Sequence, residues 1–358
     1  MPASSFFRRF FAAKKAAKDL MFKLLATLII ALNPIVGFFT AGTNIASDSP
    51  AMIQDANQPA PSFTAPSTNP MPAQKLPLPD DGYITLQQLP IFPIRDWNIA
   101  DPEITAKTAL VYDTGHQEFL FQKNGIYDAH PIASLTKLMT ALVTLENADP
   151  TTTFKISSEA VATEGEMGSL RVGETLSVET LLYTLLAESS NDAAVALAEN
   201  IPAPNENSNA TSAADKTKKF VDLMNQKAKS LGLKNTFFDD PSGLSPQNYS
   251  CAWDVAQLLL EAIQNPLLRK IMQTRSIDLR SVDGRFNHHL VNTNKLLGVI
   301  PEIIGGKTGY TEEAGNCMVL ALIPPDNEGN LITVVMDSQN RLNETKILVE
   351  WTKKAYLW

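Results

Sequence analysis

The stretch 303–315, IIGGKTGYTEEAG, sets a glycine-flanked Lys-Thr in an apolar run, and its reading decides between two folds. A phosphate loop has a glycine, four residues, then Gly-Lys-Thr, so that successive backbone N–H groups wrap a phosphate where a helix begins. Counting back from Gly306 places Pro301 where that glycine should stand. The residues after Gly309, YTEEAGNCMVLALI, read as a turn feeding a strand and carry no helical period. The spacing and the following strand therefore argue against a phosphate loop, and the rest of the chain has to supply the alternative.

Around it the chain reads as a hairpin, a block of helices and a closing set of strands. KTALVYDTGHQEFLFQKNG predicts strands over 108–112 and 118–122 with a turn at Asp113-Thr114-Gly115. SLTKLMTALVTLENA, 134–148, carries Leu135, Leu138, Met139, Leu142 and Leu145 at helical spacing. A helix is expected over 177–188 and another after the break at Ser189-Ser190-Asn191, capped by Asn191 or Asp192. Residues 202–216 read as a polar surface insertion, 218–231 and 253–272 as helices. Strands follow at 303–311, 316–323 and 331–337, then a helix over 343–356. Strands at both ends with helices between give an α+β fold, one antiparallel sheet beside a helical cluster. That order is unlike the βαβ repetition of a doubly wound nucleotide fold.

Composition narrows the class further. With 358 residues, 44% hydrophobic and 19% charged, the chain is of ordinary globular type. The first 23 residues carry six Lys/Arg and one Asp, so the net −8 leaves an acidic body, which excludes nucleic acid as the main partner. The basic segment 1–23 runs into the apolar segment 24–42, an order that predicts export with the body outside the cytoplasmic membrane. No small-x-small site follows directly, which favours a retained N-terminal membrane anchor over a cleaved signal. Residues 43–95, rich in Pro, Ala, Ser and Asn, read as a tether, and 96–358 as the globular domain. Cys251 and Cys317 could pair in an exported protein, but nothing in their spacing demands it. His116, His130, His288 and His289 show no metal-ligand spacing, so neither a metal nor a cofactor is expected.

The chemistry is carried by three stretches. Ser134 at a helix start and Lys137 three positions on share one face, within reach of each other. A neutral amine can take the serine's proton, provided that burial and a second cation, for which Lys307 is the candidate, lower the lysine's pKa. Ser-x-x-Lys alone is weak, since roughly one or two occur by chance in such a chain. Joined by Ser189-Ser190-Asn191 at a helix break and Lys307-Thr308-Gly309 on a strand, in that order, it becomes specific.

PIASLTKLMTALV, AESSNDAAVALAE and GGKTGYTEEAGNC resemble the three motif regions of the D-alanyl-D-alanine carboxypeptidases, serine peptidases among the low-molecular-weight penicillin-binding proteins. The resemblance covers roughly residues 100–358 and implies a β-lactamase/DD-peptidase-like fold with a five-stranded antiparallel sheet. It makes Ser134 the acylated nucleophile, Lys137 its base and Ser189 the relay to the leaving amine. Asn191 would hold the substrate peptide and Lys137, while Lys307 and Thr308 would bind the terminal carboxylate, with Arg341 assisting. Gly309 would leave room for the substrate backbone, and the backbone N–H groups of Ser134 and Tyr310 would form the oxyanion hole. His130 is given no role. The implied substrate is the D-Ala-D-Ala end of a peptidoglycan stem peptide, and β-lactams should trap the same serine. The same motifs serve an endopeptidase cutting D-alanyl cross-links. A class A β-lactamase is disfavoured, because no Glu-x-x-Leu-Asn run lies between the second and third motifs. A silent wall-binding relative would be expected to have lost the serine or a lysine. Relatives often append a β-rich domain and a terminal amphipathic helix, so here any membrane attachment is expected from the N-terminal segment.

Overall fold

The computed structural model describes residues 93–165, 170–201 and 212–358. The 1–23 and 24–42 segments and the tether as far as residue 92 lie outside the described residues, as does 202–211 of the expected insertion. Among the described residues no helix is long and apolar enough to cross a membrane.

In chain order the first elements are β1 (Ile94–Arg95), β2 (Thr108–Asp113), β3 (Glu118–Lys123), β4 (His130–Pro131), a 3-10 turn (Ala133–Thr136), α1 (Lys137–Asn147), β5 (Thr153–Lys155) and α2 (Ser158–Val161). They are followed by β6 (Thr175–Ser177), α3 (Val178–Tyr183), a π-helical turn (Thr184–Glu188), α4 (Asn191–Asn200), α5 (Ala213–Ser230), β7 (Tyr249–Ser250), α6 (Ala252–Gln264) and α7 (Pro266–Gln273). The chain closes with β8 (Ser276–Arg280), β9 (Asn287–Val291), β10 (Ile303–Thr311), β11 (Gly315–Leu322), β12 (Leu331–Ser338), α8 (Arg341–Ala355) and β13 (Tyr356–Leu357).

Five strands form the central antiparallel sheet in the order β10-β11-β12-β2-β3, so the expected α+β fold and strand count are both observed. The place of β11 inside that sheet explains why NCMVLALI reads as an unbroken apolar run. Cys317, Val319 and Ala321 pack into the core beneath the helices, while Met318, Leu320 and Leu322 pack into a second core with Leu348 and Val349 of α8. Side chains alternate across a strand, and a sheet covered on both faces needs apolar residues at every position. β10 takes the sheet edge, and among the described residues it pairs only with β11. That leaves the other edge of the Lys307–Tyr310 stretch free toward the helical side.

On that side α1 is buried along Lys137–Thr144, which is why its sequence is apolar nearly all round. Local chemistry moves several expected boundaries. Ser190 is the cap of α4, its hydroxyl accepting from Ala193 N–H, and Asn191 and Asp192 are already helical. α5 begins at Ala213 behind a Ser212/Asp215 capping box, which shortens the expected insertion. The 253–272 helix is two helices, because Pro266 cannot continue the first and Asn265 caps the second. The β8–β9 hairpin was not foreseen. Its alternate residues are exposed or charged, and only one face packs. β1 joins the domain edge by pairing with β13, so the tether's last residues belong to the fold. Cys251 and Cys317 are both unpaired and buried, and burial pushes each thiol up to about 11.

One carboxylate ties the domain's leading segment to its last helix. Glu344 of α8 accepts from Thr105 N–H and Oγ at 2.6 Å, Ala106 N–H at 3.0 Å and Ser338 Oγ at 2.6 Å. Burial acts to raise its pKa, and these four hydrogen bonds overcome that and hold it below the usual carboxylate value. The resulting stabilisation is complete above the unfolded-state pKa near 4.3 and is lost as pH falls through the lower folded value. Glu344→Gln should cost about 2–3 kcal/mol at pH 7. Denaturant melts at pH 7 and pH 3 should show the gap between variant and wild type closing at the lower pH.

Candidate active site

Ser134 sits in the 3-10 turn that leads into α1, and Lys137 is the helix's first residue. Lys137 is fully buried, with Nζ 2.8 Å from Ser134 Oγ, 2.7 Å from Asn191 Oδ1 and 2.6 Å from the Ser242 carbonyl. Asn191 Nδ2 donates to the Glu164 carbonyl at 2.8 Å, which fixes the amide so that its oxygen faces the lysine. Burial lowers the Lys137 pKa to about 7, and the only opposing influence is the charge of Asp240. Lys307 was the expected second cation behind that shift. The coupling falls the other way, for the Lys307 amine is pushed well down by burial first, then by Lys137 and Arg341.

Ser189 follows the π-helical turn in a left-handed conformation, φ 71° and ψ 30°. A serine held there is strained by about 1 kcal/mol or more, and such turns recur at functional sites. The turn presents its hydroxyl to Lys307 Nζ at 2.7 Å, and that amine also donates to the Thr308 carbonyl at 2.8 Å. Thr308 Oγ1 donates to Thr293 Oγ1 at 2.9 Å, and Thr293 N–H is held by the Ala187 carbonyl at 2.9 Å. All three motifs thus meet at one cleft. Among the described residues neither Lys137 nor Lys307 joins an ion pair, and burial favours the neutral form of both amines.

The structure gives Gly309 a different neighbour from the one expected. A Cβ there would lie 3.0 Å from the Ile132 carbonyl, 3.1 Å from Ser134 N and 3.2 Å from Leu135 N. The missing side chain lets β10 approach the serine's own backbone, and the next residue, Tyr310, is exposed. Arg341 is anchored, donating to the Gly309 carbonyl at 2.8 Å and to Asn316 Oδ1 at 2.9 Å. His130 lies outside this set, with Nε2 3.5 Å from Thr108 Oγ1.

A family model described as D-alanyl-D-alanine carboxypeptidase matches residues 96–340. The chain belongs to that family of serine peptidases. It is 36% identical over 220 residues to the Bacillus subtilis D-alanyl-D-alanine carboxypeptidase DacF, a match spanning 60% of this chain and 53% of that protein. To the Pseudomonas aeruginosa D-alanyl-D-alanine endopeptidase it is 35% identical over 240 residues, 65% of this chain and 72% of that one. The Streptomyces K15 DD-transpeptidase structure superposes with a TM-score of 0.65 at 29% identity, covering 71% of this chain and 99% of that one. The fold is therefore that of the DD-peptidases.

Sequence reading missed the loop 239–248, which supplies the carbonyl under Lys137. Asp240 organises it by accepting from the N–H groups of Ser242, Gly243 and Ser245 and from Asn248 Nδ2, at 2.6–2.9 Å. The clue available was its turn chemistry, Asp-Asp-Pro-Ser-Gly. Gly243 has φ +89°, and a Cβ there would come within 2.0 Å of the Ala133 carbonyl and 2.9 Å of Ser134 N. Gly243→Ala should displace the serine's turn and slow benzylpenicillin acylation on the order of 10²-fold. Stopped-flow or mass-resolved acylation kinetics would measure it, and a rate within threefold of wild type would show that the turn tolerates the push.

Proposed function

We propose that this member of the family removes the terminal D-alanine from peptidoglycan stem peptides through an acyl-enzyme on Ser134, with Lys137 as base. The carrying observation is how Lys137 is bonded. A neutral amine has two hydrogens and one lone pair, and two of its three neighbours, Asn191 Oδ1 and the Ser242 carbonyl, can only accept. Both hydrogens are taken, and the lone pair is left facing Ser134 Oγ. The serine gives its proton to that lone pair as Oγ bonds to the carbonyl carbon of the penultimate residue.

The oxyanion then develops beside the N–H groups of Ser134 and Tyr310. As the C–N bond breaks, the proton that Lys137 took is relayed through Ser189, which contacts Lys307, to the departing D-alanine amine, leaving the base neutral, and water later hydrolyses the ester. Lys307 and Thr308 take the terminal carboxylate, and Asn191 contributes to holding the peptide as well as Lys137. Arg341 acts on the carboxylate end by bracing the Gly309 carbonyl and adding positive charge. β-Lactams acylate the same serine. The basic 1–23 segment followed by apolar 24–42 supports an extracytoplasmic domain anchored to the membrane at its N-terminus.

A second reading is favoured by one comparison, for the match to the Pseudomonas endopeptidase spans more of that relative, 72%, than the match to the Bacillus carboxypeptidase, 53%. Incubation with a pentapeptide and with a D-alanyl cross-linked dimer separates the two. Release of D-alanine supports the carboxypeptidase, and cleavage of the dimer alone supports the endopeptidase.

Intact-mass spectrometry should show a benzylpenicillin adduct that is absent from Ser134→Ala. Because the base must be neutral, the second-order acylation rate should rise with pH and level off above about 7, the value to which burial lowers Lys137. Below it the rate should fall about tenfold per pH unit. A profile flat from pH 5 to 9 would remove Lys137 as the titrating base.

A further inference from the structure

Between β9 and β10 the chain runs through Asn292, Thr293, Asn294 and Lys295. Thr293 serves the active site, its hydroxyl accepting from Thr308 Oγ1 at 2.9 Å. The residues that flank it, Asn292 and Asn294, line a separate cavity of about 270 Å³ together with Arg275, His289 and Lys295. The acylation chemistry uses none of these groups.

The cavity is furnished for an anion. Among the described residues the Arg275 side chain makes no hydrogen bond or ion pair. Its guanidinium lies flat over Gly298, where a Cβ would meet Nη1 at 2.9 Å, Cζ at 3.0 Å and Nε at 3.3 Å. The missing side chain seats the planar group in one place while its edge keeps its donors. Lys295 Nζ donates once, to the Asn292 carbonyl at 3.0 Å, which leaves two hydrogens. Asn294 is 3% exposed, and its Oδ1 accepts from Leu296 N–H at 3.1 Å. Its Nδ2 has no acceptor among the described residues. A buried amide donor in that state is costly, and an acceptor arriving in the cavity would remove the cost. Asp278, across the hairpin from His289, is bonded to that imidazole at 2.8 Å, and neither Arg275 nor Lys295 has a carboxylate partner among the described residues.

Building on the acyl-enzyme reading above, we propose that Arg275, Lys295 and Asn294 form a subsite for a carboxylate of the second stem peptide when the substrate is a D-alanyl cross-linked dimer. Thr308 takes the leaving side of the scissile bond, and Thr293 joins it directly to the segment that carries the subsite. Lys295 is two residues beyond Thr293, no more than about 7 Å along the chain, a span that two extended peptide residues also cover. A single departing D-alanine is too short to reach it. In a cross-link the departing amine belongs to a second stem, which continues past Thr308 and keeps carboxylates of its own. A carboxylate fits a guanidinium fork bidentately, and an ammonium beside it adds charge without a strict geometry. Arg275 and Lys295 are both exposed, so they would also draw an acidic strand toward the leaving side of the cleft. The subsite would thus shift preference from a pentapeptide toward a cross-linked dimer, a choice that the three motifs leave open.

The test is steady-state cleavage of a D-alanyl cross-linked dimer and of a pentapeptide by the full-length protein in detergent, wild type beside Arg275→Gln and Lys295→Gln. Each variant should raise KM for the dimer about tenfold. Its kcat/KM for the pentapeptide and its benzylpenicillin acylation rate should match wild type, showing an intact fold and cleft. Amidating the free carboxylates of the dimer's second stem should cost wild type the same factor and cost Arg275→Gln nothing further. Arg280→Gln, on the same hairpin but outside the cavity, should behave as wild type. A dimer KM within twofold of wild type in both variants, an equal loss on dimer and pentapeptide, or a wild type that releases D-alanine but leaves the dimer intact would overturn the subsite and leave the acyl-enzyme standing. A wild type that cleaves neither substrate and takes no benzylpenicillin adduct would overturn the acyl-enzyme reading and the subsite with it.

Discussion

The desolvated amine of Lys137 is the constraint around which the domain is arranged. A charged lysine taken wholly out of water is costly, and with no carboxylate in contact the cheaper solution is to give up the proton. Neutrality is then useful only if the lone pair points at the serine, and that depends on where the two N–H bonds go. They go to an amide oxygen and a backbone carbonyl, neither of which has a hydrogen to give to the lone pair, so the lone pair is left to the serine. Burial sets the pKa, and the two acceptors set the direction.

Three distant segments must converge for this to work. The Glu164 carbonyl orients the Asn191 amide, Asn191 rides on the first turn of α4, and the Ser242 carbonyl is fixed by the Asp240-centred loop. The same loop presses Gly243 against the peptide of Ala133 and Ser134, while Gly309 presses from β10 at the backbone of Ile132, Ser134 and Leu135. The serine's turn is thus held between two glycines that permit closer approach than any side chain would. Ala133 itself has φ 47°, so the turn carries some backbone strain that this packing sustains.

The parts of the fold legible in the sequence were those where one pattern had one meaning. β11 and β12 are apolar at nearly every position because both sheet faces are covered, and α1 repeats leucine at helical spacing because it is central. The β8–β9 hairpin escaped because Asp278, Arg280 and His289 break its apolar signal, leaving one thin buried face. The 253–272 helix was read through Pro266 because the apolar period continues across it, although the missing N–H and the Asn265 cap restart the helix there. In the site, residue types and order were readable, since Ser-x-x-Lys, Ser-Ser-Asn and Lys-Thr-Gly are side-chain signals. The Ser242 and Glu164 carbonyls were not, because a backbone acceptor has no residue type to read.

The cleft is also built unbalanced. Lys137 and Arg341 lie close enough to lower the proton affinity of Lys307, burial lowers that of all three, and no ion pair among the described residues neutralises either lysine. Such a site is unfavourable for the empty protein and favourable for a ligand that brings a negative charge. A terminal carboxylate placed by Thr308 and Lys307 would restore the charge of Lys307, because an opposite charge within a few ångströms favours the protonated amine. Lys137, whose contacts are a hydroxyl and two neutral oxygens, gains less from that carboxylate and can stay neutral. Substrate binding would then drive the two lysines apart in protonation, one toward cation and one toward base, from a starting point at which burial has weakened both.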